Sequence, residues 1–223
     1  MPASVVTMTV HGIGSPVRPL EPGEDRTWVS VGQFEQVLDA VAERPSGVRI
    51  TFDDGNASDV EIALPRLVER GLRAEFFLLA GRIGAPGMVD AAGVAALLSA
   101  GMTVGSHGWA HRDWRRLDAA GRTEEFVAAP RLLGELTGRP VTRVAVPFGS
   151  YDRRVLAGLR RAGVTTAYTS DGGAARPSAW LQSRTSLRHD IDPQWTQDVL
   201  AGTPGLRRRA RRACARLVKR TRG

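Results

Sequence analysis

The sequence predicts an α/β fold of the barrel type, assembled from about seven strand–helix units. Three observations carry this expectation. Short apolar runs alternate with longer segments of helical periodicity, the pattern of βα units around a parallel sheet. Glycines stand where helices should stop, at Gly71, Gly101, Gly138 and Gly163, the usual residues for a left-handed C-terminal position. Polar or turn-forming residues fall at the ends of four expected strands, and a barrel gathers its chemistry at the C-terminal ends of its strands.

In order along the chain, the first strand is expected over Val5–Val10 and is followed directly by His11. A helix over Val31–Ala42 starts after Ser30, a residue suited to the N-cap. The apolar run Val48–Phe52 ends in Asp53-Asp54-Gly55, and Ser58 is placed to cap a helix over Asp59–Arg70. A strand over Ala74–Leu79 leads to a helix over Ala91–Ala100, and a strand over Met102–Ser106 ends at His107. The helical pattern of Arg122–Thr137 contains Pro130, whose missing amide hydrogen should kink or split it. A strand over Arg143–Val146 runs into Pro147-Phe148-Gly149, a helix over Asp152–Ala162 follows, and strands over Thr165–Thr169 and Arg184–Leu187 end the set.

The chain has 223 residues, 42% of them hydrophobic and 24% charged, which suits one domain with a sizeable core. Its formal charge of +8 is unevenly spread. Nine basic side chains and no acid lie in residues 203–223; taking these from the 31 basic residues leaves 22 against 23 acids in residues 1–202. We therefore divide the chain into a nearly neutral catalytic body, 1–202, and a basic tail, 203–223. Along Leu206–Arg222 the apolar Leu206, Ala210, Ala213, Leu217 and Val218 share one helical face. Such a basic amphipathic segment can contact an anionic membrane or a polyanion, and can equally be a solvated terminus. Nucleic acid is not the expected partner, because the tail lacks interleaved aromatic residues. No apolar run reaches membrane-spanning length, and the first residues do not read as a signal peptide. The single cysteine, Cys214, excludes an internal disulfide framework and a thiolate metal cluster. The expected location is cytoplasmic, with peripheral membrane contact through the tail.

The chemistry concentrates in Thr51-Phe52-Asp53-Asp54-Gly55 and His107-Gly108-Trp109-Ala110-His111. Alone, Asp-Asp-Gly is commonly an Asx turn or a helix cap, and two histidines four apart are commonly structural. Together at strand ends they supply three ligands for a mononuclear metal site, with one carboxylate left over to act as base.

These two segments resemble the first two motifs of the polysaccharide deacetylases, the NodB-homology or carbohydrate esterase family 4 domain. The resemblance extends from about His11 to Arg188. It implies a distorted (β/α)7 barrel and metal-dependent removal of N-acetyl groups from amino sugars. Carried over, Asp54, His107 and His111 hold the metal, usually zinc, and Asp53 is the general base. The third motif, normally Arg-Pro-Pro-(Tyr/Phe)-Gly, reads Ala145-Val146-Pro147-Phe148-Gly149 and lacks the arginine. This form is similar to a circularly permuted branch in which the leucine-x-histidine motif moves to the N-terminus. Thr9-Val10-His11 then makes His11 the expected general acid, with His189 of Leu187-Arg188-His189 as the alternative. The resemblance also assigns the backbone N–H of Phe148 to the oxyanion.

Two departures accompany these matches. Gly108 replaces a hydroxyl residue that helps to hold the loop, and the Asp-x-x-Asp-Trp motif is missing. Asp171 stands near its place, and Arg184 could supply the missing positive charge; a plain core or salt-bridge role is an equal reading of both. Trp109, Trp114 and Phe148 are candidates for stacking on a sugar ring or for the core. A non-catalytic carbohydrate-binding or regulatory barrel is the rival reading, and the absent arginine motivates it.

Overall fold

The computed structural model of the chain describes residues 4–44, 46–202 and 218–219. The strands are β1 (Val5–Val10), β2 (Gly12–Ile13), β3 (Trp28–Val29), β4 (Val48–Asp54), β5 (Ala74–Leu78) and β6 (Thr103–Ser106). They continue with β7 (Arg143–Ala145), β8 (Thr166–Thr169), β9 (Ala174–Ala175), β10 (Leu181–Ser183) and β11 (Thr185–Ser186). Between them run α1 (Val31–Ala42), α2 (Leu64–Glu69), α3 (Ala91–Ser99), α4 (Ala119–Thr123), α5 (Ala129–Thr137), α6 (Arg153–Arg161) and α7 (Pro193–Leu200).

The main sheet follows the order β10-β8-β7-β6-β5-β4-β1-β11, and every pairing along that path is parallel. Its two ends are consecutive in the chain. β10 pairs with β8, β11 pairs with β1, and only Arg184 separates them. One interrupted segment thus serves as the last stave and brings the sheet close to a closed barrel. The expected barrel is present, and the strand anticipated over 184–187 is split at its first residue.

Parallel strands covered by helices are buried on both faces, and β1 and β5 are buried along their whole length. Outside the barrel, Phe52 stacks on Phe76 at 4.4 Å and meets Phe34 of α1 edge-on at 6.0 Å. The inside of the barrel is layered. Glu75 and Arg143 pair towards the N-terminal ends of β5 and β7, and Phe77, Ala145 and Tyr168 fill the middle. Arg184 lies above, 5.3 Å and 5.7 Å from the Phe77 and Tyr168 rings, and pairs with Asp53.

Helix ends follow local chemistry. Ser30 and Gln33 form the reciprocal capping box that the N-cap expectation required. Ser58 does not cap a helix; its hydroxyl accepts the Ile13 N–H at 3.3 Å and so ties β2 to the segment after β4. The helix expected over 122–137 is continuous from Ala119 to Thr137 but widens into a π turn at Glu124–Ala128 just before Pro130. The helix expected over 59–70 widens in the same way, with a π turn at Asp59–Ala63 before Pro65. Proline offers no amide hydrogen and crowds the carbonyl four residues back; in both places that carbonyl belongs to the π turn.

Candidate metal and acid–base site

Three non-glycine residues among those described have positive φ: Asp54 at 76°, His111 at 55° and Phe148 at 58°. All three line one cavity of about 270 Å³, together with His11, Asp53 and His107. Left-handed backbone is disfavoured for residues with a Cβ, and its concentration around one cavity marks a functional site.

The Asp-Asp-Gly segment turns out of β4 so that the two carboxylates take different surroundings. Asp54 Oδ1 lies 3.4 Å from His107 Nε2 and 3.6 Å from His111 Nε2. Ligands at about 2.1 Å around a tetrahedral ion are about 3.4 Å apart, so both distances from Asp54 suit a shared cation, and the three ligand atoms all lie within 4.8 Å of one another. Asp54 Oδ1 is also buried without a hydrogen-bond partner, the condition of an oxygen whose natural partner is an ion. His107 Nδ1 donates to the Ala145 carbonyl at 2.9 Å, which leaves Nε2 as the free lone pair. Burial pushes the His107 pKa down against the pull of Asp53 and Asp54, favouring the neutral, ligating imidazole. His111 is oriented in the same sense by Glu21 Oε2, 3.4 Å from its Nδ1.

Asp53 faces the barrel interior. Arg184 grips it with two parallel bonds, Nη1 to Oδ1 at 2.6 Å and Nη2 to Oδ2 at 2.7 Å, and both side chains are almost fully buried. Burial alone raises the Asp53 pKa, but Arg184, His107 and His11 outweigh it and hold the carboxyl well below the usual carboxylate range. The last stave thus gives Asp53 a positive partner, while the third motif carries no arginine. Asp171 does not take part in this pairing; it accepts bonds from Tyr151, Thr169 and Lys219.

The two candidate acids are placed differently. His11 lines the cavity with Nε2 4.0 Å from Asp53 Oδ2, and its backbone carbonyl accepts Asn56 Nδ2 at 2.8 Å. His189 is exposed, lies outside the cavity lining, and contacts the Arg26 carbonyl. Phe148 is 60% exposed, with its ring 4.3 Å from that of His111, on the wall of the cavity. Trp114 is not available for stacking, because it is buried against Phe126; Trp109 packs on the main core.

Other contributors had no motif to reveal them. The segment between β2 and β3 brings Glu21, Pro22, Gly23 and Glu24 to the cavity. It is held by Arg18 on Glu24 and Asn56 and by Arg82 on Glu21 at 2.6 Å. Its only sequence signal was a Pro- and Gly-bearing stretch between short apolar runs. The tail from 203 lies outside the described residues apart from Val218 and Lys219, so its expected helix is not addressed. Lys219 donates to Asp171 at 2.7 Å and to the Gly149 carbonyl at 3.0 Å, beside the Phe148 turn.

A nearly closed parallel barrel carries, at one rim, a buried Asp–Arg pair beside an Asp–His–His triad that could hold a metal ion. Comparison narrows this. The chain belongs to the polysaccharide deacetylase family, whose description matches residues 40–167. That stretch contains Asp53, Asp54, His107, His111 and Phe148 but neither His11 nor Arg184. A chitin deacetylase from Pestalotiopsis sp is 32% identical over 116 residues, 52% of this chain and 38% of that protein. The chain spans less than half the length of the curated relatives it matches. In fold it is similar to the Streptococcus pyogenes deacetylase PplD in complex with acetate, with TM-score 0.78, 18% identity, and coverage of 92% of this chain and 100% of that one. IcaB from Ammonifex degensii gives TM-score 0.72 and 22% identity, over 90% of this chain and 97% of that one.

Proposed function

We propose that this chain is a metal-dependent hydrolase that removes N-acetyl groups from amino sugars of a polymeric, oligomeric or lipid-linked saccharide. The observation that carries the reading is the convergence of Asp53, Asp54, His107, His111 and His11 on one cavity. Asp54, His107 and His111 would hold a divalent cation, with zinc the expected occupant. That ion would activate water and polarise the acetyl carbonyl. Asp53, kept anionic by Arg184, accepts the proton of the attacking water. The N–H of Phe148 is assigned to the developing oxyanion. His11, across the cavity from Asp53 Oδ2, donates the proton that lets the amine leave, and acetate is the other product. Its place in the cavity favours His11 over His189.

A non-catalytic carbohydrate-binding barrel was motivated by the absent motif arginine, and Arg184 on Asp53 supports the hydrolase instead. Placement of His11 at the end of β1, beside the final stave, supports a permuted arrangement. For the Arg-rich residues 203–223 we propose peripheral contact with an anionic membrane at its cytoplasmic face. No helix among the described residues is long and apolar enough to cross a membrane.

The deciding experiment is acetate release from a panel of N-acetylated glycans by the zinc-loaded protein. A chelator and Asp53→Asn should each abolish it, and added metal should restore the chelated enzyme. A folded, metal-loaded protein that releases no acetate across the panel would overturn the reading.

A further inference from the structure

We propose that Glu125 is a positioning residue that moulds the His107–His111 loop into its metal-binding shape, an inference that rests on the metal-site reading above. Glu125 is 1% exposed, and its described hydrogen bonds all come from one short stretch of chain. Oε2 accepts the Trp109 N–H at 2.7 Å and Trp114 Nε1–H at 3.2 Å. Oε1 accepts the Ala110 N–H at 3.3 Å and Arg112 Nε–H at 2.7 Å. The four donors flank His111 on both sides.

Successive backbone N–H groups aimed at one anion form a nest, which fixes the local chain path. Here the anion is a side chain from the π turn before Pro130. The path it fixes is one the loop would not choose alone, since His111 has φ of 55° and Gly108 φ of 88°. That path points Nε2 of both histidines at Asp54 Oδ1.

Gly108 supplies the second, independent observation. A Cβ built at this position would overlap Glu125 Oε2. Where a hydroxyl residue is common in the resembling family, this chain leaves the volume to a carboxylate. Gly108 and Glu125 are in this sense one device: the glycine makes room for the anion that orders the loop. A merely structural Glu125 would stabilise the fold without altering how the triad holds metal.

The test is Zn²⁺ affinity of the full chain, by competition with a chromophoric chelator, together with the visible absorption spectrum of the Co²⁺ form. Glu125→Gln should keep the circular dichroism of the wild type, lose about 10–100-fold in Zn²⁺ affinity and show an altered Co²⁺ spectrum; Glu125→Asp should recover part of the loss. Gly108→Ala retains the carboxylate but pushes it off the loop amides, and should also weaken Zn²⁺ binding. In a Glu125→Ala background the same Gly108→Ala change should cost much less. A folded Glu125→Gln protein with unchanged affinity and spectrum, or losses that simply multiply in the double variant, would overturn the inference. If Glu125→Gln does not fold, unchanged Zn²⁺ affinity of Gly108→Ala would overturn it equally. Failure of the wild type to bind either metal would overturn the metal-site reading itself.

Discussion

The two ends of the barrel interior each bury a carboxylate beside an arginine, yet the two acids respond in opposite directions. At one end Asp53 is held by a two-pronged Arg184, with His107 and His11 nearby, and its pKa falls. At the other, Glu75 is paired with Arg143, whose side chain is 43% exposed and also bonds the Tyr168 hydroxyl, and its pKa rises. Burial pushes both acids upward. The difference lies in the partners: a fully buried guanidinium aligned on both oxygens outweighs desolvation, whereas one that faces solvent and is shared with a phenol does not. Phe77 and Tyr168 separate the two pairs, so one barrel maintains a permanent anion at its working end and a reluctant one at its base.

The largest expected effect is at the working end. Arg184→Met should leave Asp53 buried without its counter-charge and cost about 3–5 kcal/mol in urea unfolding. Arg143→Met should cost clearly less, because the Arg143 guanidinium is partly screened by solvent and Glu75, whose pKa is already raised, can take up a proton when its partner is removed. Equal losses would collapse the contrast.

A subtler test uses pH. The folded-state pKa of Asp53 is depressed, so its stabilising contribution is present above the unfolded value of about 3.9 and is lost only as pH falls through the lower folded value. Glu75 has the opposite sign: its raised pKa favours the fold at low pH, and that advantage disappears as pH climbs through the folded value. As pH rises above the unfolded glutamate value of about 4.3, Glu75→Gln should therefore gain stability relative to wild type, while the penalty of Asp53→Asn stays flat. Urea midpoints measured across that rise in pH decide it; parallel pH trends for the two variants would show that the acids are not held differently.

The smallest effect is expected at Glu21, whose contact with His111 is long and whose side chain is 40% exposed. Glu21→Gln should weaken Zn²⁺ binding by about threefold, below the range typical of buried second partners. A chelator-competition titration would resolve this, and a tenfold loss would place Glu21 on a par with Glu125.

Much of this was legible in the chain because it depends on local pattern. The apolar runs marked β1, β4, β5 and β8 to within a residue or two, Ser30 marked the start of α1, and Pro130 marked the distortion before α5. Asp53, Asp54, His107 and His111 could be read because strand ends and short spacing put them together. Residues brought in by long-range closure were far less visible. Arg184 lies 131 positions from Asp53 and had only the weak signal of sitting on an expected last strand. Glu21 and Glu125 sat in segments with no motif, and their value depends on which backbone amides and ring nitrogens they meet. Pro65 carried the same signal as Pro130, and its π turn follows from the same steric cause.

The break between β10 and β11 has a consequence for the order in which the molecule matures. Arg184 is the residue at which the final stave changes allegiance from β8 to β1. Until that stave docks, Asp53 of β4 has His107 of the β6 loop beside it but lacks its paired guanidinium. Closing the ring and giving Asp53 its paired guanidinium are thus one event.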